Sequence, residues 1–110
     1  MKIYHVSDYH NGWFIGNFDP TILKREDFEV GYKKHKIGEQ YDIHYHKETI
    51  EINLLTKGKM IIQDKTLNAG DIFVIYPYEI SDPIFIEDCE VLVVRVPSVS
   101  KDKYLSLIHI

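Results

Sequence analysis

Gly38-Glu39-Gln40-Tyr41-Asp42-Ile43-His44-Tyr45-His46-Lys47-Glu48-Thr49-Ile50-Glu51-Ile52-Asn53-Leu54-Leu55-Thr56-Lys57-Gly58 is the stretch on which the reading of this chain turns. It holds two histidines one residue apart, a glutamate five residues after the second, and a glycine at each end. Two imidazoles and a carboxylate form the mixed nitrogen and oxygen set that suits a divalent transition metal. On a β-strand, residues i and i+2 point to one face, so His44 and His46 can converge on one ion. Glu51 lies beyond the short Lys47-Glu48-Thr49 stretch and can return to the same point from the next strand.

Outward from this stretch, the composition sets bounds. A chain of 110 residues is expected to form one domain, large enough to bury a core without disulfides or a structural metal. It is 45% hydrophobic, 27% charged and 13% aromatic, with eight tyrosines, the balance of a soluble globular protein. The net charge of −4 repels phosphate backbones, which argues against nucleic acid as a partner. No apolar run is long enough to span a bilayer, so no membrane partner is expected. The opening Met1-Lys2-Ile3-Tyr4-His5 has no signal-peptide character, and the lone Cys89 cannot form an internal disulfide; a cytoplasmic location is the expectation. Cys89 stands between Asp88 and Glu90, a setting that disfavours a thiolate, and reads as a structural strand residue.

Strand signals recur at short, even spacing. Ile3–Val6 and Trp13–Ile15 are short apolar stretches, and residues 19–27 have room for one helical turn capped by Asp19, with Pro20 at its first position. Phe28, Val30 and Tyr32 alternate with Glu29, Gly31 and Lys33, the period of a half-buried strand. Further β-rich runs cover 49–56, 60–63, 72–76, 84–86 and 91–96, with turns at 57–59, 68–70 and 81–83. No long segment has a period of 3.6. The expected class is all-β, as a sandwich or closed barrel.

The opening stretch resembles the first motif of the cupins. That motif runs Gly, five residues, His-x-His, three or four residues, Glu, six residues, Gly, and Gly38, His44, His46, Glu51 and Gly58 match each fixed position. The resemblance covers roughly residues 28–97 and implies a single domain over 1–110, built as a double-stranded β-helix (jelly-roll) barrel with one divalent transition metal inside (zinc, iron, manganese or nickel). The second cupin motif is only partly present. Counted from Gly70, its histidine position falls on Ser81, and a slip of one residue, as a bulge allows, puts Asp82 there and Pro77 on the motif proline. The implied ligand set is therefore His44, His46, Glu51 and Asp82, with Ser81 as the alternative.

Other residues are placed by parity. If Phe28, Val30 and Tyr32 face inward, Lys34 follows them toward the barrel mouth, and Tyr32, Tyr76 and Lys34 become the candidate acids or bases. Asn53 continues the inward parity of Glu51. Arg95 shares a face with Val91 and Val93, where burying it alone is expensive, so it reaches either a pocket or a subunit interface. With Tyr78 these form the candidate ligand-binding set; aromatic rings with hydroxyls at a rim suit a polar small molecule such as a sugar. His35, among Lys33, Lys34 and Lys36, reads as part of a solvated face. Two functions compete: isomerase, epimerase or lyase chemistry (or oxygenation) at a metal, and metal-independent binding of a sugar-like ligand. A homodimer paired through sheet edges is expected, with Ile3–Val6 and the apolar tail 105–110 as covers.

Overall fold

A computed structural model describes residues 1–106. Two 3₁₀ turns, Val6–Asp8 and His10–Gly12, precede eleven strands. These are β1 (Trp13–Gly16), β2 (Leu23–Lys24), β3 (Glu29–His35), β4 (His44–Tyr45), β5 (Ile50–Lys57), β6 (Lys59–Ile62), β7 (Lys65–Asn68), β8 (Ile72–Ile75), β9 (Ile84–Phe85), β10 (Cys89–Val96) and β11 (Tyr104–Leu105). The β2-β1-β3-β10-β5-β8 sheet forms one wall, and the β7-β6-β9 and β11-β4 sheets stand against it. All pairings are antiparallel except β1 with β2. The all-β double-walled architecture agrees with the class read from the sequence. No described helix is long and apolar enough to cross a membrane.

The dry core is Leu55, Met60, Ile62, Ile75, Phe85, Cys89, Val91 and Val93, gathered from β5, β6, β8, β9 and β10 between the walls. Each large apolar side chain removed from water there contributes about 1.5–3 kcal/mol before chain entropy is subtracted. Cys89 belongs to this core: burial pushes its thiol up, and its Sγ donates to the carbonyls of Lys59 and Glu87. Gly58 joins β5 to β6 at φ +93°, and a Cβ there would lie 2.2 Å from the Asp88 carbonyl oxygen. That close approach of two backbones explains the glycine that ends the opening stretch.

Two local expectations are corrected, and one strand lies where the sequence marked none. Residues 19–27 hold the short strand β2 rather than a helical turn, because Ile22 N and Arg25 N donate to the carbonyls of Phe14 and Gly16 on the neighbouring strand β1, not back along their own segment. Strand β7, Lys-Thr-Leu-Asn, has no apolar alternation and is held by its hairpin with β6. The inward parity of β3 is the reverse of the one read from its apolar residues. Glu29 and Gly31 are the buried pair, and Lys33 and His35 follow them inward, leaving Val30 and Tyr32 on the outer face. The Trp13 ring packs on Gly31 so closely that a Cβ there would fall 2.6 Å from it, which fixes the glycine on the inner side.

Candidate metal and ligand site

His44 sits on β4, whose neighbours are β11 on one side and the isolated bridge to Ser81 on the other. Ser81 N donates to His44 O at 2.7 Å, and His44 N donates to Ser81 O at 3.2 Å. Cross-strand partners share a face, so Ser81 points inward with His44, and Asp82 points away. Ser81 accordingly lines the inner cavity beside Glu51 and Asn53. Asp82 Oδ1 instead accepts the Gln63 amide at 2.8 Å, tying down the β6–β7 turn. Ser81, not Asp82, therefore faces the inner cavity on the side of His44, and a hydroxyl is a weak ligand for the metals considered.

Both histidines are buried, their rings 5.1 Å apart and almost perpendicular. His44 Nδ1 lies 2.9 Å from the Asp42 carbonyl oxygen, and His46 Nδ1 is held by the carbonyl of Asp102. A carbonyl only accepts, so each Nδ1 carries a proton, and either ring in its neutral form keeps its lone pair on Nε2. Burial pushes His44 down, which favours that neutral form. His46 Nε2 is buried without a hydrogen-bond partner among the described residues and lies 3.6 Å from Glu51 Oε2.

Glu51 is engaged from its other side. Arg95 and Glu51 are cross-strand partners on β10 and β5, and Arg95 Nε donates to Glu51 Oε2 at 2.8 Å. Burial would raise the Glu51 carboxyl, but His46 and the Arg95 guanidinium outweigh it and hold the group at about 2. Arg95 also pairs in register with Glu29 on β3, so Glu29, Arg95 and Glu51 form one row of charges across the inner face. Burial raises Glu29 in spite of Arg95. The guanidinium lies over the Trp13 ring at 4.5 Å, a cation–π contact that orders it.

Two cavities meet at this row. A mouth cavity of about 430 Å³ is lined by Trp13, Phe18, Glu29, His46 and Arg95 and roofed by Ser98–Lys103 of the C-terminal segment. A tight inner cavity of about 50 Å³ is lined by Lys33, His35, Tyr41, Glu51, Asn53 and Ser81 among others. His35 is not on a solvated face: it stacks on Phe85 at 4.2 Å, and its Nδ1 meets Glu39 at 2.6 Å. Asn53 is buried, with long contacts of 3.5 and 3.4 Å to the Glu51 and Phe73 carbonyls. Tyr41 is pushed up to about 12, first by burial and then by the Glu51 charge. A raised phenol contributes stability that is complete below its ordinary value near 10 and is lost as pH climbs toward 12. Absorbance titration at 295 nm of the folded protein (a standard phenolate band) is expected to show one late-ionising tyrosine that disappears in Tyr41→Phe.

The three candidate acids or bases lie elsewhere. Tyr32 OH binds Thr56 and Glu90 on the outer face, and Lys34 lines a separate surface groove. Tyr76 is exposed, with its amide capped by Glu79. Tyr78, 66% exposed, stacks on Tyr45, which has the outward parity on β4. Of the eleven candidate side chains, Ser81 and Asp82 both counted, these two cavities receive His46, Glu51, Asn53, Arg95 and Ser81. Glu29, Trp13, Lys33, Tyr41 and Asp102 were not singled out from the sequence.

Among the described residues, no three His, Cys, Asp or Glu side chains are gathered closely enough to chelate an ion as they stand, since Glu51 is turned to Arg95. The donors nevertheless fit such an ion in kind: two Nε2 lone pairs set by backbone carbonyls, one of them buried without a partner, and a carboxylate next to it.

No family model and no curated protein matches the chain. Solved structures do. A double-stranded β-helix protein from Klebsiella pneumoniae is 17% identical, with a TM-score of 0.70 over 96% of this chain and 91% of its own. The fold is that of a cupin. KdgF from a Halomonas species is 21% identical, with a TM-score of 0.61 over 66% of this chain and 71% of its own. The bacterial pirin YhhW of Escherichia coli, solved with nickel(II), is 20% identical, with a TM-score of 0.66 over 80% of this chain and 39% of its own. At these identities the likeness is one of fold.

Proposed function

We propose that this cupin-fold protein holds one divalent transition metal through His44, His46 and Glu51 and acts on a small polar metabolite, such as a sugar derivative, by isomerase-, epimerase- or lyase-type chemistry. The observation that carries the reading is the Nε2 of His46, buried and partnerless among the described residues, whose ring is locked by the Asp102 carbonyl into the tautomer a metal ligand needs. The nickel(II) in the pirin of the same fold supports it. A metal there would act as a Lewis acid on a carbonyl or hydroxyl of the bound molecule. The protein's own groups divide the rest of the work. Arg95 orients an oxygen-bearing substrate against the Trp13 face, and the C-terminal segment excludes water from above. Glu29, buried and raised, is the group placed to give or take a proton at the mouth cavity, the role first given to Tyr32, Tyr76 or Lys34.

Protein purified without a histidine tag is expected to carry about one metal per chain by elemental analysis. His46→Ala is expected to lose it, with Zn(II) affinity falling at least roughly 100-fold by calorimetric titration. Protein that stays metal-free after incubation with zinc, iron(II), manganese and nickel rejects the proposal. A second reading, a cupin that binds its ligand without chemistry, is favoured by Ser81, rather than Asp82, facing the inner cavity. Under that reading, a sugar-type ligand binds with the same affinity before and after chelation.

A further inference from the structure

Arg95 holds donors that the fold leaves unused. Among the described residues its one ion pair is with Glu51, through Nε at 2.8 Å, and its two terminal amino groups make no hydrogen bond. The Trp13 ring covers one face of the guanidinium at 4.5 Å. A guanidinium offers two forks to a carboxylate, one side-on (Nε with one Nη) and one end-on (both Nη). Glu51 takes the Nε edge and Trp13 fixes the plane, so the end-on fork remains, on a side chain that lines the mouth cavity of about 430 Å³.

The acids around that cavity do not compete for it. Asp19 pairs with Lys24 at 3.0 Å, and both oxygens of Asp102 receive donors from the 47–49 loop. Glu29, in register with Arg95 on β3, is buried, and burial pushes its carboxyl up toward the uncharged form, which donates rather than repels. The roof adds two exposed cations, Lys101 and Lys103, the second 3.9 Å from Asp42. Beyond the roof Leu105 pairs with β4; residues 107–110 of the apolar tail, expected to cover a dimer, lie outside the described residues.

Resting on the small-molecule reading of the mouth cavity, we infer that its ligand carries a carboxylate rather than being a neutral sugar, and that Arg95 receives it end-on through its two terminal amino groups. Arg95 then bridges two carboxylates, one of its own chain and one of the ligand, on different edges of one plane. A carboxylate suits this place better than a phosphate, which brings up to about two negative charges against a single guanidinium that already serves Glu51.

Titration of the unaltered chain by calorimetry and NMR with three acid and amide pairs tests it: glycerate and glyceramide, mandelate and mandelamide, gluconate and gluconamide. Each amide keeps the shape of its acid and drops the charge. At least one acid is expected to bind at least roughly 10-fold tighter than its amide. The same acid is expected to move the Arg95 guanidinium signals in isotope-labelled protein, where Arg25 is the only other arginine. Arg95→Lys keeps the charge and loses the fork, and is expected to erase the preference for the acid, with its fold checked by circular dichroism. Glycerol phosphate is expected to bind more weakly than glycerate. Acids that bind no better than their amides up to about 10 mM overturn the assignment. So does tighter binding of the phosphate, or an acid preference that leaves the Arg95 signals unmoved. The metal is tested separately by elemental analysis. An acid preference in metal-free protein upholds the carboxylate site and rejects the metal centre, and metal-loaded protein indifferent to charge does the reverse.

Discussion

Asp102→Ala is expected to lower stability by about 3 kcal/mol in urea unfolding and to disorder the loop that joins the two histidines to Glu51. The carboxylate accepts the amides of Lys47, Glu48 and Thr49, each at 3.0 Å, and the Thr49 hydroxyl at 2.7 Å. Burial alone would raise this carboxyl, but those four donors hold it below the usual carboxylate range. Deleting it strands a buried hydroxyl and up to three amides. Each unsatisfied group costs about 1–3 kcal/mol, and the exposed ends of the loop recover part of that from water. The backbone carbonyl of the same residue receives His46 Nδ1, so one residue sets both the loop and the imidazole tautomer. Metal affinity is therefore expected to drop about 10- to 100-fold in the variant. Asp102→Asn, which keeps the shape and roughly half of the acceptors, should fall between. A loss below about 1 kcal/mol for the alanine variant contradicts the latch, since it is less than one buried hydrogen bond to a charged group contributes.

The part of this molecule legible in the sequence is the part encoded locally. His44 and His46 share a face because they are two residues apart, and Gly58 is required by a turn that the Lys57-Gly58-Lys59 punctuation already marks. Arg95 shows itself as the one charge in the apolar run 91–96. What failed was the assumption that apolar alternation marks the inside. On β3 the apolar residues Val30 and Tyr32 face out, and the inner row is Glu29, Gly31, Lys33 and His35. A strand that lines a ligand cavity must present polar groups inward, so on β3 the usual sign of the pattern reverses. The Ser81 or Asp82 question could not be answered locally either, because it depends on which residue bridges His44 across the barrel. Asp102 carries no local signal: its partners are more than fifty residues away in sequence, and only the closed fold brings them together.

Arg95→Met is expected to cost about 3 kcal/mol in the metal-free protein, because it keeps the packing on Trp13 but leaves the buried Glu51 carboxylate without its guanidinium. The double variant Arg95→Met/Glu51→Gln should recover most of that loss, since removing both charges together leaves none stranded. The acid limb tests the same pair. Glu51 lies at about 2 in the fold against an ordinary 4.5, so its contribution to stability is complete above about 4.5 and is lost as pH falls toward 2. Without Arg95 that depression shrinks, and the variant's stability should depend less on pH across this window. A divalent cation then separates a structural ion pair from a metal centre. If His44, His46 and Glu51 form the ligand set, zinc should raise the melting temperature of Arg95→Met more than that of the unaltered chain, because the ion no longer competes with Arg95 for Glu51. It should leave the double variant, which lacks the carboxylate, little changed. Equal shifts in all three proteins would mean that Glu51 serves only Arg95, and that the polar row inside this barrel is built to hold a ligand without a metal.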